Sequence, residues 1–287
     1  MKTETVIKSA FFIFLVTFLM GFTFVPFGGT AIQEVTPTDS FPQSCVTENT
    51  SFQAGERLVY KLYYNWGFIW MSAGEIVMTV EEEDGQYHLV AKGKTFKSYD
   101  WFYNVRDKYE CYVDKETLLP TVSVRDVKEG DYELYDKIIY DFDNQHITSV
   151  RGDTEYDAKS KSFEMSGCVQ DMVSAIYQAR NFDFNSMKKN ERVPMNIFLD
   201  REEWPLSLKY KGKERKKIKG LGYFNTIKFQ PEIIIGDVFK EGTEMYVWAT
   251  DDENRIPLMI ESPIKIGSVK AVLVDYDGLK HPMTAKD

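Results

Sequence analysis

Histidine and cysteine are scarce in this chain, at three of each among 287 residues. His88, His146 and His281 stand far apart, with no HExxH or other paired spacing, so the usual histidine-built zinc sites are not encoded. No GxSxG is present, and no thiol has a base beside it in sequence, so the nucleophilic hydrolase patterns fail as well. Cys168 alone lies near a predicted helix start, where a dipole would lower a thiol pKa; its plainer reading is a buried or bridged residue. Cys45, Cys111 and Cys168 permit at most one internal bridge, in any of three pairings, and do not make a disulfide scaffold. Positive charge is also in deficit: 35 Lys and Arg against 44 Asp and Glu give a net charge of −9. That balance argues against general nucleic-acid binding, which needs a positive field to meet phosphates.

What is present begins at the N-terminus. Lys2 and Lys8 precede an apolar run from Ala10 to Phe27, and Gly29-Thr30-Ala31 supplies small residues where a signal peptidase cuts. The competing reading is a membrane anchor, but Pro26, Gly28 and Gly29 hold the run to about the minimum spanning length and no basic cluster follows. Residues 1–31 are therefore expected to be a signal peptide and the chain to be exported, periplasmic or envelope-associated. Its removal takes the net charge to −10 and leaves about 256 residues. Residues 32–51, rich in Thr, Pro, Ser, Gln and Glu, read as a flexible leader, since they offer little apolar surface to bury.

From Phe52 onward the pattern is short strands punctuated by turn residues. Leu58, Tyr60, Leu62 and Tyr64 alternate with period two, and Asp84-Gly85 is a strong hairpin signal between Ile76–Val80 and Tyr87–Ala91. Strands are predicted over 105–113, 121–127, 132–142 and 147–151, then over 193–199, 206–210, 214–219, 223–229, 244–250, 257–261 and 269–276. One segment differs: Val169, Met172, Val173, Ile176, Tyr177 and Arg180 mark a helical face near 168–181. Ser166 would cap its start and Asn181 stop it. The expectation is an all-β fold with one short helix. An antiparallel meander over 52–279 would curl into a rolled, open, barrel-like sheet, leaving 280–287 as a tail.

Carboxylates are plentiful at Asp100, Asp107, Asp114, Asp141, Asp143, Asp251 and Asp252, and two acids in a cleft could serve a glycosidase. Asp141-x-Asp143 opens like a calcium loop but lacks the glycine at position six and the closing glutamate. Asp251-Asp252-Glu253-Asn254 reads as a hairpin turn. No catalytic residues, metal or cofactor are expected from these patterns.

Several stretches stand in order along the chain: Phe52-x-x-Gly55-Glu56-x-Leu58-x-Tyr60, Ala73-Gly74 and Tyr103-x-Val105-Arg106-Asp107-x-Tyr109. Asp114 with Leu119-Pro120 and Val169-Gln170-Asp171-x-x-Ser174-Ala175 follow. Val247-Trp248 leading to Asp251-Asp252-Glu253-Asn254-Arg255-Ile256-Pro257, then Gly267-Ser268, complete the set. Together they resemble the domain-of-unknown-function family 3108, exported proteins of Gram-negative bacteria. The resemblance runs from about residue 52 to 275 and implies a rolled β sheet in or facing the periplasm, with no established activity. The segment Trp66–Trp70 and the basic run Lys209–Lys219 fall outside its motifs, so it assigns them nothing.

Those two segments are the candidate binding surfaces. Trp66, Phe68 and Trp70, with Tyr99, Trp101 and Tyr103, offer flat apolar faces with polar edges that could stack on a sugar or grip an acyl chain; the alternative is that they cap the core. Lys209, Lys211, Lys213, Arg215, Lys217 and Lys219 recur at every second residue, so an unbroken strand would place all six on one face. Such a stripe suits an anionic lipid or glycan, or else protects a sheet edge, and a turn at Lys211-Gly212-Lys213 would break it. The function expected is non-enzymatic: binding, carrying or scaffolding an apolar or glycan envelope component. The alternatives are an acid-catalysed hydrolase of envelope glycan and a structural subunit of an outer-membrane complex.

Overall fold

The computed structural model describes residues 45–66, 69–98, 103–232, 244–263 and 268–287. The predicted signal peptide, most of the leader, Phe68, Tyr99, Asp100 and Trp101 lie outside the described residues.

Strong alternation over the N-terminal half yields eight strands in meander order: β1 (Arg57–Trp66), β2 (Ile69–Glu83), β3 (Gln86–Thr95), β4 (Arg106–Val113), β5 (Pro120–Glu129), β6 (Tyr132–Asp141), β7 (His146–Gly152) and β8 (Lys159–Glu164). The helix α1 (Met172–Ala179) follows. Six further strands complete the chain: β9 (Arg192–Leu199), β10 (Glu202–Ile218), β11 (Gly222–Glu232), β12 (Tyr246–Thr250), β13 (Pro257–Pro263) and β14 (Ser268–Asp277). All fourteen belong to one antiparallel sheet in the order β8-β7-β6-β5-β4-β3-β2-β1-β14-β13-β12-β11-β10-β9. The two meanders are joined through the β1–β14 ladder, which sets Arg57 opposite Asp277. Asp84 and Gly85 both take positive φ, as the tight hairpin predicted there requires.

The sheet rolls without closing. Register shifts between Val59 and Tyr60, Leu62 and Tyr63, Tyr112 and Val113, Tyr210 and Gly212, and Trp248 and Ala249 bend it. Directly opposed residues share a face. One transverse row therefore runs Leu58, Met78, Ala91, Tyr109, Arg125, Asp136, Arg151 and passes from apolar to ionic. Its apolar part joins Phe52, Tyr60, Leu89, Cys111, Val127, Leu134 and Tyr177 in the main core.

The edge strands β8 and β9 meet through side chains rather than a ladder. The β9–β10 turn is two residues, Asp200 and Arg201, both at positive φ although neither is glycine. That conformation is costly for such residues and persists where surroundings enforce it. Here they do: Asp200 accepts from Arg125 at 2.8 Å and pairs with Arg151 at 3.1 Å. Arg201 donates to Ser149 Oγ and to the Lys159 carbonyl of β8. Burial alone would favour discharging Arg125, but Asp200 and Asp136 outweigh it and hold the guanidinium charged.

Several expectations need correction. Asp171, not Ser166, caps α1: its carboxylate accepts from Ser174 N at 2.6 Å, and Ser174 Oγ accepts in return from Asp171 N. The helix starts later because Gln170 is held extended in a parallel bridge to Ile197, while Ser166 binds Glu203. Predicted strands 206–210 and 214–219 are halves of the single bulged β10, and β8 was missed because Lys159–Glu164 is almost wholly polar and exposed. Of the three cysteine pairings, Cys45–Cys168 forms, with Cα atoms 5.2 Å apart, and Cys111 is a buried free thiol. Cys168 is thus bridged and not a nucleophile. Asp141 closes a turn by accepting from Asn144 N and Nδ2.

Candidate functional site

The motifs shared with the resembled family converge on a structural knot. Glu56 and Arg180 form a buried two-point ion pair at 2.6 and 2.7 Å. Arg180 also donates to the Asn254 and Ser51 carbonyls and lies over the rings of Phe52 and Tyr177. Asp252 organises the β12–β13 turn, accepting from Thr250 Oγ1, Asn254 N and Arg255 N. These groups tie the start of the domain, the end of α1 and the β12–β13 turn together.

A second cluster joins two acids. Asp107 and Glu129 are buried, Asp107 Oδ1 accepts from Lys128 N at 3.0 Å, and the Glu129 carboxyl donates to Asp107. Burial, then the Asp107 charge, pushes Glu129 up to about 9, and burial pushes Asp107 to about 7. Tyr103 OH lies 3.5 Å from Glu129 Oε2. Among the described residues no group of three or more His, Cys, Asp or Glu is arranged to hold a metal.

The predicted basic stripe is divided. The bulge between Tyr210 and Gly212, where Gly212 takes φ +107°, inverts the alternation, so Lys209 opposes Gln230 while Lys213, Arg215 and Lys217 oppose Ile227, Asn225 and Tyr223 on the other face. Lys211 donates to Gln230 instead. Lys213 pairs with Asp251 at 2.8 Å and Arg215 with Asp287, while Arg215 and Lys217 lie over the Tyr223 ring and Lys219 over Tyr63. The half of β10 beyond Lys209 has a ladder on one side only, to β11, so these charges also stand where edge protection is needed.

A different set of cations gathers on the face opposite Lys213, Arg215 and Lys217. Lys228 of β11 is opposite Trp248 of β12, and Tyr246 is opposite Glu261, which is opposite Lys270. Lys216 of β10 reaches the same indole. Its Nζ lies 3.8 Å from the Trp248 ring centroid and that of Lys228 lies 4.9 Å away, with Lys228 also 4.2 Å from Tyr246. Lys270 pairs with Glu261 at 3.0 Å and stands 4.3 Å over Trp70. Trp248 Nε1 donates to Glu214. Trp248 itself is buried beneath these groups, whereas Trp70 is 42% exposed.

Of the predicted aromatic cluster, Trp70 therefore joins this face, and half-buried Tyr103 sits with Glu129 elsewhere. Trp66 pairs through its backbone with Ile69 at the end of the β1–β2 ladder. Sequence reasoning missed Lys216, Lys228, Lys270 and Tyr246 because they come from four strands. The available signal was a lysine at each of three inward alternation positions near Trp248.

The family model described as "Protein of unknown function (DUF3108)" matches residues 59–274. Among solved structures, a β-barrel-like protein of domain of unknown function DUF1849 from Brucella abortus is similar at TM-score 0.53 and 10% identity. The match covers 77% of this chain and 96% of that one. An exported-protein candidate of YmcC-like fold from Bacteroides fragilis aligns at TM-score 0.31 and 12% identity over 80% and 99% of the two chains. No curated protein matches this chain.

Proposed function

The chain belongs to the DUF3108 family of proteins of unknown function, and from that footing we propose an exported, non-enzymatic periplasmic protein that binds a cell-envelope component on the aromatic and lysine face of β10–β14. One observation carries the reading: strands β10, β11 and β14 deliver Lys216, Lys228 and Lys270 onto the rings of Trp248, Tyr246 and the neighbouring Trp70. Rings with ammonium groups at their margins suit an amphiphile or acidic sugar, whose apolar or flat part stacks while its charged part is met. Export is supported by the charged, apolar and small-residue order of the N-terminus and by the Cys45–Cys168 disulfide, which persists in oxidising compartments.

Native mass spectrometry of the protein recovered from its own envelope tests this. Bound lipid or glycan that is lost on Trp70→Ala supports the reading. A bare polypeptide mass, or adducts retained unchanged by that variant, would exclude this face as the binding surface.

A further inference from the structure

Resting on that reading and going one step further, we propose that Lys216 and Lys228 over Trp248 form a binding site for a phosphate-type oxyanion. Both ammonium groups are held against the same indole, 3.8 and 4.9 Å from its centroid, and the Lys228 charge acts on Lys216. The acids nearby are already committed: Glu214 accepts from the Trp248 indole N–H, and Glu261 pairs with Lys270. Among the described residues neither Lys216 nor Lys228 has a carboxylate within 4.0 Å, whereas Lys213 and Arg215 on the other face each have one.

Two lysines against one buried ring, neither paired directly with a carboxylate, repel. Burial, opposed by Glu214 and Glu261 and reinforced by Lys228 and Lys270, draws the Lys216 ammonium below its ordinary range. An oxyanion at this point removes the repulsion and supplies the missing acceptors, and its binding is strengthened by the partial exclusion of water. Lysine suits a phosphate as a point charge, without the fixed fork of arginine. The oxyanion could be borne by a lipid headgroup or by a soluble phosphorylated molecule.

Two probes separate these sources. Full mature protein is titrated with inorganic phosphate by calorimetry, and separately floated with vesicles of phosphatidylglycerol in phosphatidylcholine at low salt. Binding in either arm, weakened at least about tenfold by Lys216→Gln with Lys228→Gln and within about twofold of wild type for Lys217→Gln, is the expected result. Phosphate binding alone assigns a soluble source; vesicle binding alone assigns a headgroup. A footprint on the unmutated chain guards against misfolded variants: whichever probe binds should slow acetylation of Lys216 and Lys228 at least about threefold and leave Lys217 unaffected. No binding in either arm, binding unchanged in the double variant, or unprotected lysines would overturn the proposal. If native spectrometry then still shows a ligand that depends on Trp70, the face binds an uncharged component and the broader function stands without the anion site.

Discussion

Replacing Glu129 with glutamine should flatten the pH dependence of stability. In the unfolded chain the two carboxyls ionise at about 3.8 and 4.5, whereas in the fold Asp107 is raised to about 7 and Glu129 to about 9, first by burial in both cases. Above pH 5 the folded chain therefore retains protons that the unfolded chain has released. Each retained proton lowers the unfolding free energy by about 1.4 kcal/mol per pH unit. The pair's contribution is full below pH 4 and is lost as pH rises through 7 towards 9. Between pH 5.5 and 8.5 the single proton donated from Glu129 to Asp107 accounts for about 4 kcal/mol, a large part of an ordinary domain's stability. The amide introduced by Glu129→Gln would keep a hydrogen-bond donor for Asp107 while removing the titration. Urea unfolding, followed by tryptophan fluorescence at pH 5.5, 7 and 8.5, should show wild type losing stability steeply while Glu129→Gln loses about 1.4 kcal/mol per unit less. Equal slopes for the two proteins would refute the shared-proton account.

Asp200→Ala should destabilise the fold by about 3–5 kcal/mol, because buried Arg125 and half-buried Arg151 lose a shared counter-charge and the strained turn loses the contacts that enforce it. Asp200→Asn should recover part of that loss in the same urea assay, and an alanine cost under 1 kcal/mol would show that the turn does not fasten the edges. Cys45→Ser with Cys168→Ser opens a bridge across 123 residues and should cost about 4–5 kcal/mol on the chain-entropy account. A thermal midpoint unchanged by reductant in the wild type would contradict it.

The alternation of β1 through β7 was legible because each strand buries one face and its turns use Asp-Gly or other polar residues; Leu58, Tyr60 and Leu62 all enter the core. The family motifs were legible as well, although their role was not: Glu56 and Asn254 of the motifs meet only through Arg180, which lies outside them, after the chain has crossed most of its length. The basic run misled because alternation was carried through Tyr210–Gly212, where an extra residue reverses the facing. The lysine face itself could not be read, since Lys216, Lys228 and Lys270 become neighbours only through the ladder order β10, β11, β12, β13, β14. Strand β8 was invisible for the opposite reason: edge position lets it remain polar apart from Phe163.

The ladder between β1 and β14 carries a consequence for how this chain must be made. The first strand to emerge waits for the last before it has neighbours on both sides, so a growing or partly delivered polypeptide presents an open flank in the middle of its future sheet. Loss of the final ten residues would be tolerated or not according to the tail alone, but loss of Ser268–Asp277 would unzip the seam where both meanders join. Completion, rather than any local hairpin, is the event that commits this polypeptide to its shape.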